Sequence, residues 1–212
     1  MKDPAPTTEP LSSRAKILDV AEELFARQGF AGVSLAVVAS RVGLRKSTLF
    51  HHFAGKVALY AEVCERVIAR IEARVRPALE GTGTVAARLE QGLGALIDEL
   101  AEHPDTARLL LRSLLEDDLF DADMQTLLEP LDAALAELVG SFQELVRQGI
   151  EAGEFRKVSL PDATQTVIGA TVYHFASGDF GEALLAGPIF SAEAVARRKR
   201  EVTEFILAGL AS

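Results

Sequence analysis

Apolar residues recur three and four positions apart along most of the chain, and this spacing is typical of amphipathic α-helices. A first helix is predicted at about 13–28, where Gly29 ends it. Two short helices follow at about 35–41 and 45–52, and a longer helix lies at about 56–77. Because no stretch of any length alternates with a period of two, the pattern predicts no β-strand.

The second half of the chain shows the same helical period. Helices are predicted at about 84–102, from Pro104 onward, and at about 122–152, 161–177 and 192–210. Pro130 falls inside the helix at 122–152 and predicts a kink or a break there. The glycines between residues 178 and 188 predict a loop. The chain is therefore expected to adopt an all-α fold of about nine helices.

The segment 34–53 predicts two short helices joined by a tight turn. Ala39 is small where the helices must cross, and Gly43 can adopt the positive φ that the turn requires. An apolar set is expected to hold the second helix against the first: Val38, Val42, Leu44, Leu49 and Phe53. The second helix then presents Arg, Lys, Ser, Thr and His to solvent. Such a helix suits the major groove of DNA, which is wide enough to admit it.

The distribution of charge supports a nucleic-acid partner, although the chain as a whole has a net charge of −9. Residues 1–60 hold eight Lys and Arg against five Asp and Glu, a net charge of +3, and the remainder has a net charge of −12. A basic head on an acidic body can approach phosphates only through the head.

Several classes of protein are excluded by composition. No apolar run approaches the ~20 residues that a membrane helix needs, and the polar, proline-rich segment 1–10 does not resemble a secretory signal. The single cysteine, Cys64, excludes an internal disulfide framework and a multi-cysteine zinc site, and it is interpreted as a packing residue. We therefore expect a cytoplasmic protein with no membrane partner and no cofactor.

Residues 14–62 resemble the DNA-binding region of the TetR family of transcription regulators. The matching positions are Gly29-Phe30, Ser34, Ala39, Gly43, Leu44, the run 45–53, Lys56 and Leu59. The departures are Arg45, Ser47, Phe50 and Val57, which replace the family's common Ser, Gly, Tyr and Glu. The resemblance implies a dimer formed through the last two helices. It divides the chain into a flexible arm (1–12), a helix-turn-helix DNA-binding domain (13–58) and an effector-binding and dimerisation domain (59–212).

The DNA contacts are predicted mainly on the third helix. Lys46 and Thr48 are candidates to contact base edges, because Lys donates to guanine O6 and N7 and a Thr methyl group packs against the thymine methyl group. Arg45 is a candidate for a base or a phosphate. Phosphate contacts are predicted for Ser34, His51, His52 and Lys56, and the set is completed by Ser47 and Phe50. Adjacent helical residues diverge by about 100°, so His51 and His52 do not predict a metal site.

The effector and dimer sites are predicted less directly. An effector cavity is expected inside the helices between residues 56 and 177, mostly apolar with a few polar anchors. Its candidate residues are Arg108, Arg112, Phe120, Phe142, Tyr173 and His174. The candidate dimer residues are Val167, Ala170, His174, Val195, Val202, Phe205, Ile206 and Gly209. The run 197–200, Arg-Arg-Lys-Arg, is interpreted as a solvated helix face.

The predicted function is that of a ligand-responsive repressor. A homodimer would bind a near-palindromic double-stranded operator and be released by an unidentified small molecule. Two alternatives stay open. Asp117, Asp118 and Asp121 match a magnesium-binding motif of all-α isoprenoid-processing enzymes, but the chain is short for that fold and holds no second acidic motif. The other alternative is a helical interaction protein that does not bind DNA.

Overall fold

The computed structural model describes residues 12–115 and 122–212, and in these two stretches the chain forms ten α-helices. They are α1 (Ser13–Gly32), α2 (Leu35–Val42), α3 (Lys46–His52), α4 (Lys56–Leu79), α5 (Val85–Glu102), α6 (Pro104–Leu115), α7 (Ala122–Glu151), α8 (Leu160–Ala176), α9 (Asp179–Leu185) and α10 (Ala192–Leu210). The extended backbone between α7 and α8 makes one isolated β-bridge, from Phe155 to Ala211. The predicted all-α fold is confirmed.

Two details differ from the sequence prediction. Part of the predicted loop 178–188 is the short helix α9, which lies between Gly178 and Ala186, both with positive φ. Seven residues are too few to show a helical period, and several of its apolar side chains are exposed. In addition, α7 continues through Pro130 as one helix and does not break there.

The head comprises α1, α2 and α3, and α4 joins it to the body. The side chain of Tyr60, in the second turn of α4, contacts Phe25 and Phe30 of the head with ring centroids 5.0 and 5.2 Å apart. Further along, α4 packs against α5 and α7, which belong to the body. Since α4 carries buried side chains along its whole length, the head and the body share one hydrophobic core.

A layer of ion pairs joins the head to the body beside this core. The carboxylates of Glu22 on α1 and Glu99 on α5 are both buried. Arg70 of α4 lies between them, with Nη2 2.7 Å from Glu22 Oε1 and Nε 3.1 Å from Glu99 Oε1. Arg66 donates a second hydrogen bond of 2.6 Å to Glu22. Burial raises the pKa of Glu22, but the hydrogen bonds from Arg70 and Arg66 outweigh it, so this pKa lies below the ordinary value.

None of the helices in residues 12–115 and 122–212 combines the length and the apolar character needed to cross a bilayer.

Candidate nucleic-acid interface and ligand cavity

The turn between α2 and α3 is fixed by backbone bonds. The Ser34 Oγ accepts a hydrogen bond from the Val37 N–H at 3.3 Å and thereby caps α2. Gly43 adopts the left-handed conformation, with φ of 76°, and the Leu44 N–H donates to the Ala39 carbonyl at 2.8 Å. The predicted roles of Ser34 as a cap and of Gly43 in the turn are confirmed. This turn sets the direction in which α3 leaves α2.

One face of α3 is buried against the rest of the head and the other face is exposed or half-buried. Leu49 is completely buried and Phe53, directly after the helix, is nearly so. Arg45, which replaces the family's common Ser, precedes the helix in an extended conformation, and its side chain makes no capping hydrogen bond. The open face carries the predicted DNA-binding side chains, which are exposed or half-buried: Arg45, Lys46, Ser47, Thr48, Phe50, His51 and His52. Within residues 12–115 and 122–212, the structure thus leaves a polar, partly cationic helix face uncovered.

Two other cations of the head are engaged within the protein. The Lys56 Nζ lies 4.2 Å from the centroid of the Phe30 ring and 3.5 Å from the Ala31 carbonyl oxygen, and burial lowers the pKa of Lys56. Arg14, which the sequence analysis did not select, donates 2.9 Å from Nε to Glu62 and packs over the Phe53 ring. Both side chains therefore help to fix the head, and Lys56 is not simply a free surface cation.

An apolar cavity lies in the body, within the predicted range. It is lined from α4 to α8 by Ile71, Val75, Leu79, Leu89, Gly92, Leu93, Leu96, Leu110, Ser113, Leu135, Leu138, Val139, Phe142, Thr164, Val167, Ile168 and Val172. The volume of the cavity is about 130 Å³. The only side-chain hydroxyls in the wall belong to Ser113 and Thr164, and each donates to a carbonyl of its own helix. Among the residues that the structure describes, the cavity wall therefore contains no charged group.

The candidate effector residues are spread over several places. Phe142 lines the cavity as predicted. Arg112 instead donates hydrogen bonds to main-chain carbonyls at the end of α1, and Arg108 packs against the backbone of Gly178. Tyr173 is half exposed to solvent, and His174 is buried but is absent from the cavity wall. Phe120 lies outside the described residues, as do Asp117, Asp118 and Asp121. Arg108, Arg112, Tyr173 and His174 therefore do not line this cavity, and their role in effector binding stays a prediction.

His174 has an unusual environment between α8 and α10. Its Nε2 is buried and has no hydrogen-bond partner among the described residues. Burial lowers the pKa of His174 to about 4, with a further contribution from the charges of Arg198 and Arg197. The imidazole is therefore neutral in the folded protein near pH 7.

The candidate dimer residues divide into two groups. Three of them are buried within the chain itself and pack in the protomer's own core: Val167 on α8, and Val202 and Ile206 on α10. His174 is buried as well, whereas Ala170 and Val195 are half-buried. Phe205 is 73% exposed and Gly209 is exposed. Other exposed apolar side chains on α8 and α9, which the sequence analysis did not assign to a dimer, are Tyr173, Phe180, Leu184 and Leu185.

The fold and the open face of α3 define a helix-turn-helix protein with an all-helical body. Two family models agree with this class. The model described as "Bacterial regulatory proteins, tetR family" matches residues 17–63, and the one described as "Tetracyclin repressor-like, C-terminal domain" matches residues 86–206. The second match alone spans more than half of the chain. The protein belongs to the TetR family of bacterial regulatory proteins.

Individual relatives are distant. The transcriptional activator FasR of Mycolicibacterium smegmatis is 29% identical over 100 residues, which are 47% of this chain and 46% of FasR. The transcriptional repressor KstR2 of Mycobacterium tuberculosis is 26% identical over 145 residues, 68% of this chain and 70% of KstR2. This chain thus spans less than half of the first of these relatives.

Solved structures match over nearly the whole chain. The structure of KstR2, a ketosteroid transcriptional regulator, superposes with a TM-score of 0.77 and 18% identity over 96% of this chain and 97% of that one. The regulator FadR of Bacillus subtilis, in complex with stearoyl-CoA, gives a TM-score of 0.70 and 15% identity over 92% of this chain and 98% of that one. At these identities the likeness shows the fold alone.

Proposed function

We propose that the protein is a cytoplasmic transcription regulator that binds a near-palindromic operator as a homodimer and is released from it by a small molecule. The observation that carries this proposal is the open polar face of α3, held in place by the buried Leu49 and Phe53. Two such helices in a dimer would enter successive major grooves, about 34–36 Å apart.

Lys46 and Thr48 are proposed to contact base edges, and Arg45 a base or a phosphate. Ser34, His51 and His52 are proposed to contact phosphates, together with Lys56 if it leaves the Phe30 ring on binding. Ser47 and Phe50 would pack against the groove wall. Supporting this arrangement, the head carries a net positive charge on a strongly acidic body, so that approach through any other face is repelled.

A homodimer is proposed to form through the exposed apolar side chains near the end of the chain. Phe205 on α10, Tyr173 on α8 and Phe180 and Leu184 on α9 are each more than half exposed. The small residues Ala170 and Gly209 would allow close approach of the partner, and Val195 would add apolar contact. Large apolar side chains clustered on a surface are typical of an interface that is covered in the assembly.

The effector is proposed to occupy the apolar cavity that Phe142 lines. A wall without charged groups favours a ligand portion that is largely hydrocarbon, since an unpaired charge would be costly to bury there. The stearoyl-CoA bound to FadR, a structural neighbour, is a ligand with such a portion. Binding would shift the population toward a form with low operator affinity, which requires that the ligand binds this form more tightly than the DNA-bound form.

Selection of duplexes from a random pool by the full chain tests the DNA-binding proposal. We expect enrichment of an inverted repeat that the Lys46→Ala variant binds with reduced preference over random DNA. A pool with no enriched duplex would contradict the proposal and favour a helical interaction protein. Magnesium-dependent turnover of an isoprenoid diphosphate would instead favour the enzyme alternative. A regulator without catalytic activity is proposed, in agreement with the relatives, which are transcription regulators.

A further inference from the structure

A second cavity adjoins the apolar one and differs from it in chemistry. It lies between the start of α8, the end of α10 and the segment that connects α7 to α8, and its volume is about 390 Å³. Phe142 and Val167 line both cavities, so the two spaces are adjacent. Unlike the first cavity, this one is lined by charged residues: Arg156, Lys157 and Asp162.

Arg156, one of the two cations that line the second cavity, is held in a fixed position. The Arg156 N–H donates 2.8 Å to the Leu210 carbonyl, and its Nε donates 2.7 Å to the Gly209 carbonyl. The neighbouring Phe155 pairs with Ala211 and packs tightly against Gly149 of α7. The guanidinium is thus attached to the end of α10 and does not move freely with the connecting segment.

The charges in this cavity favour an anion. Within the part of the chain that the structure describes, neither the terminal nitrogens of Arg156 nor the Lys157 Nζ makes a hydrogen bond or an ion pair. Of the described residues in the wall, Asp162 is the one carboxylate, so they contribute two cations and one acid. This excess stands out because residues 61–212 as a whole carry a net charge of −12. An anion would be repelled by most of the body and attracted here.

We propose that the effector is an amphiphile whose hydrocarbon chain fills the apolar cavity and whose anionic head group binds at Arg156 and Lys157. This inference rests on the proposed ligand-responsive function and specifies the ligand class. The two adjacent cavities together provide what such a molecule needs, an uncharged site for the chain and a charged site for the head group. The head group is a carboxylate or a phosphate-bearing group, which share the anionic chemistry. Since Phe205 and Gly209 also line the second cavity, a bound head group would border the proposed dimer interface.

Binding of three probes with the same chain tests the inference: dodecanoic acid, dodecanoyl-CoA and the uncharged dodecanol. Calorimetry on the full-length wild-type protein should show tighter binding of at least one anionic probe than of dodecanol. Dodecanol should displace that probe competitively, because both chains occupy the apolar cavity. Equal affinity for all three probes, absence of any binding, or lack of competition would each overturn the inference.

Reversing the charge of Lys157, which lines the second cavity, provides the decisive comparison. Lys157→Glu should weaken binding of the anionic probe at least tenfold and change dodecanol binding less than twofold. Arg147→Glu on α7 is the matched control with the same change of charge, because Arg147 is about half exposed and, among the described residues, pairs only with Glu144 of its own helix. Loss confined to dodecanoyl-CoA would identify a phosphate-bearing head group, and loss confined to dodecanoic acid a carboxylate; both support the inference. Equal affinities of Lys157→Glu and Arg147→Glu for every probe would overturn it.

The two proposals fail in different ways. Operator binding by wild type and Lys157→Glu without any probe should be equal, since Lys157 lies outside the head. If wild type binds an operator and no amphiphile, the ligand class is wrong and the DNA-binding proposal stands. If amphiphiles bind as expected and no operator can be selected, the proposed function fails.

Discussion

Arg112 donates a hydrogen bond of 3.0 Å from Nε to the carbonyl oxygen of Ala26, and so ties α6 in the body to α1 in the head. Its Nη2 donates a second bond of 3.3 Å to the Arg27 carbonyl. On the same helix, Leu110 and Ser113 line the apolar cavity. One helix therefore lines the cavity proposed to bind the ligand and also contacts the head.

Replacing Arg112 by Ala should weaken the coupling between the two sites. We expect the ratio of operator dissociation constants with and without effector to fall about fivefold, which corresponds to about 1 kcal/mol of coupling free energy. Titration of labelled operator at saturating and zero effector measures this ratio. Arg200→Ala on α10, where the side chain pairs with the adjacent Glu201, is the control and should leave the ratio unchanged. An unchanged ratio in Arg112→Ala would show that this contact does not transmit the signal.

The buried carboxylate of Glu22 should contribute strongly to folding. In Glu22→Gln, Arg66 and Arg70 each lose a charged partner in a partly buried position, and we expect the free energy of unfolding to fall by about 2–4 kcal/mol. Asp19→Asn is the matched control, because Asp19 pairs with the same Arg66 but is half exposed, so its loss should cost less than about 1 kcal/mol. Urea unfolding of both variants measures the difference. Equal losses would contradict the assigned role of burial.

Protonation of His174 should lower stability in acid. Its pKa is about 4 in the folded protein and near the ordinary value of 6.5 when unfolded, so the unfolded state binds more protons between these two values. Stability should therefore be fully present above about pH 6.5 and fall progressively toward pH 4, by about 2 kcal/mol from this group.

The variant His174→Asn should show a flatter loss of unfolding free energy between pH 7 and pH 4.5 than the wild type. His51→Asn, an exposed position on α3, should retain the wild-type slope. The two slopes can be compared by urea unfolding at a series of pH values. If His174→Asn retains the full slope, another group causes the acid loss.

The sequence predicted features that depend on neighbours along the chain. The cap at Ser34, the left-handed Gly43 and the burial of Leu49 and Phe53 follow from local rules for helix ends and helical period. These rules do not determine which neighbouring helix a side chain faces. Val167 was predicted at a dimer interface because it lies at helical spacing from Ala170 and His174, yet its side chain lines the cavity of its own protomer.

Arg112 shows the same limit for a charged side chain. It was assigned to the ligand because it lies one turn from Arg108, but α1 packs against this side of α6 and offers its terminal carbonyls. The short helix α9 was missed because it is bounded by unusual backbone conformations at Gly178 and Ala186 and has no apolar period. An apolar cavity lies among the helices in which an effector site was expected, and Phe142 lines it, but binding of an effector there stays a prediction.

Two lysines of the head should differ in their effect on DNA binding. Lys46 is exposed on α3 with its Nζ 5.6 Å from the Phe50 ring centroid, and it is proposed to contact a base. Lys46→Ala should therefore cost about 1–3 kcal/mol on the selected operator and much less on random DNA, which relaxes base preference. Lys56→Ala removes the contact with the Phe30 ring, and we expect the free energy of unfolding to fall by about 1 kcal/mol. Its affinity for the operator and its affinity for random DNA should fall by the same factor.

Dissociation constants measured across a range of salt concentrations separate these effects. If each subunit neutralises about four phosphates, the logarithm of the affinity of the dimer should fall with the logarithm of salt with a slope of about −7. Lys46→Ala should retain most of this slope, because base contacts release few counterions. A flatter slope in Lys56→Ala would indicate that Lys56 leaves the Phe30 ring to contact a phosphate, and an unchanged slope would restrict it to a structural role. Equal losses on operator and random DNA for Lys46→Ala would reject its assignment to a base edge.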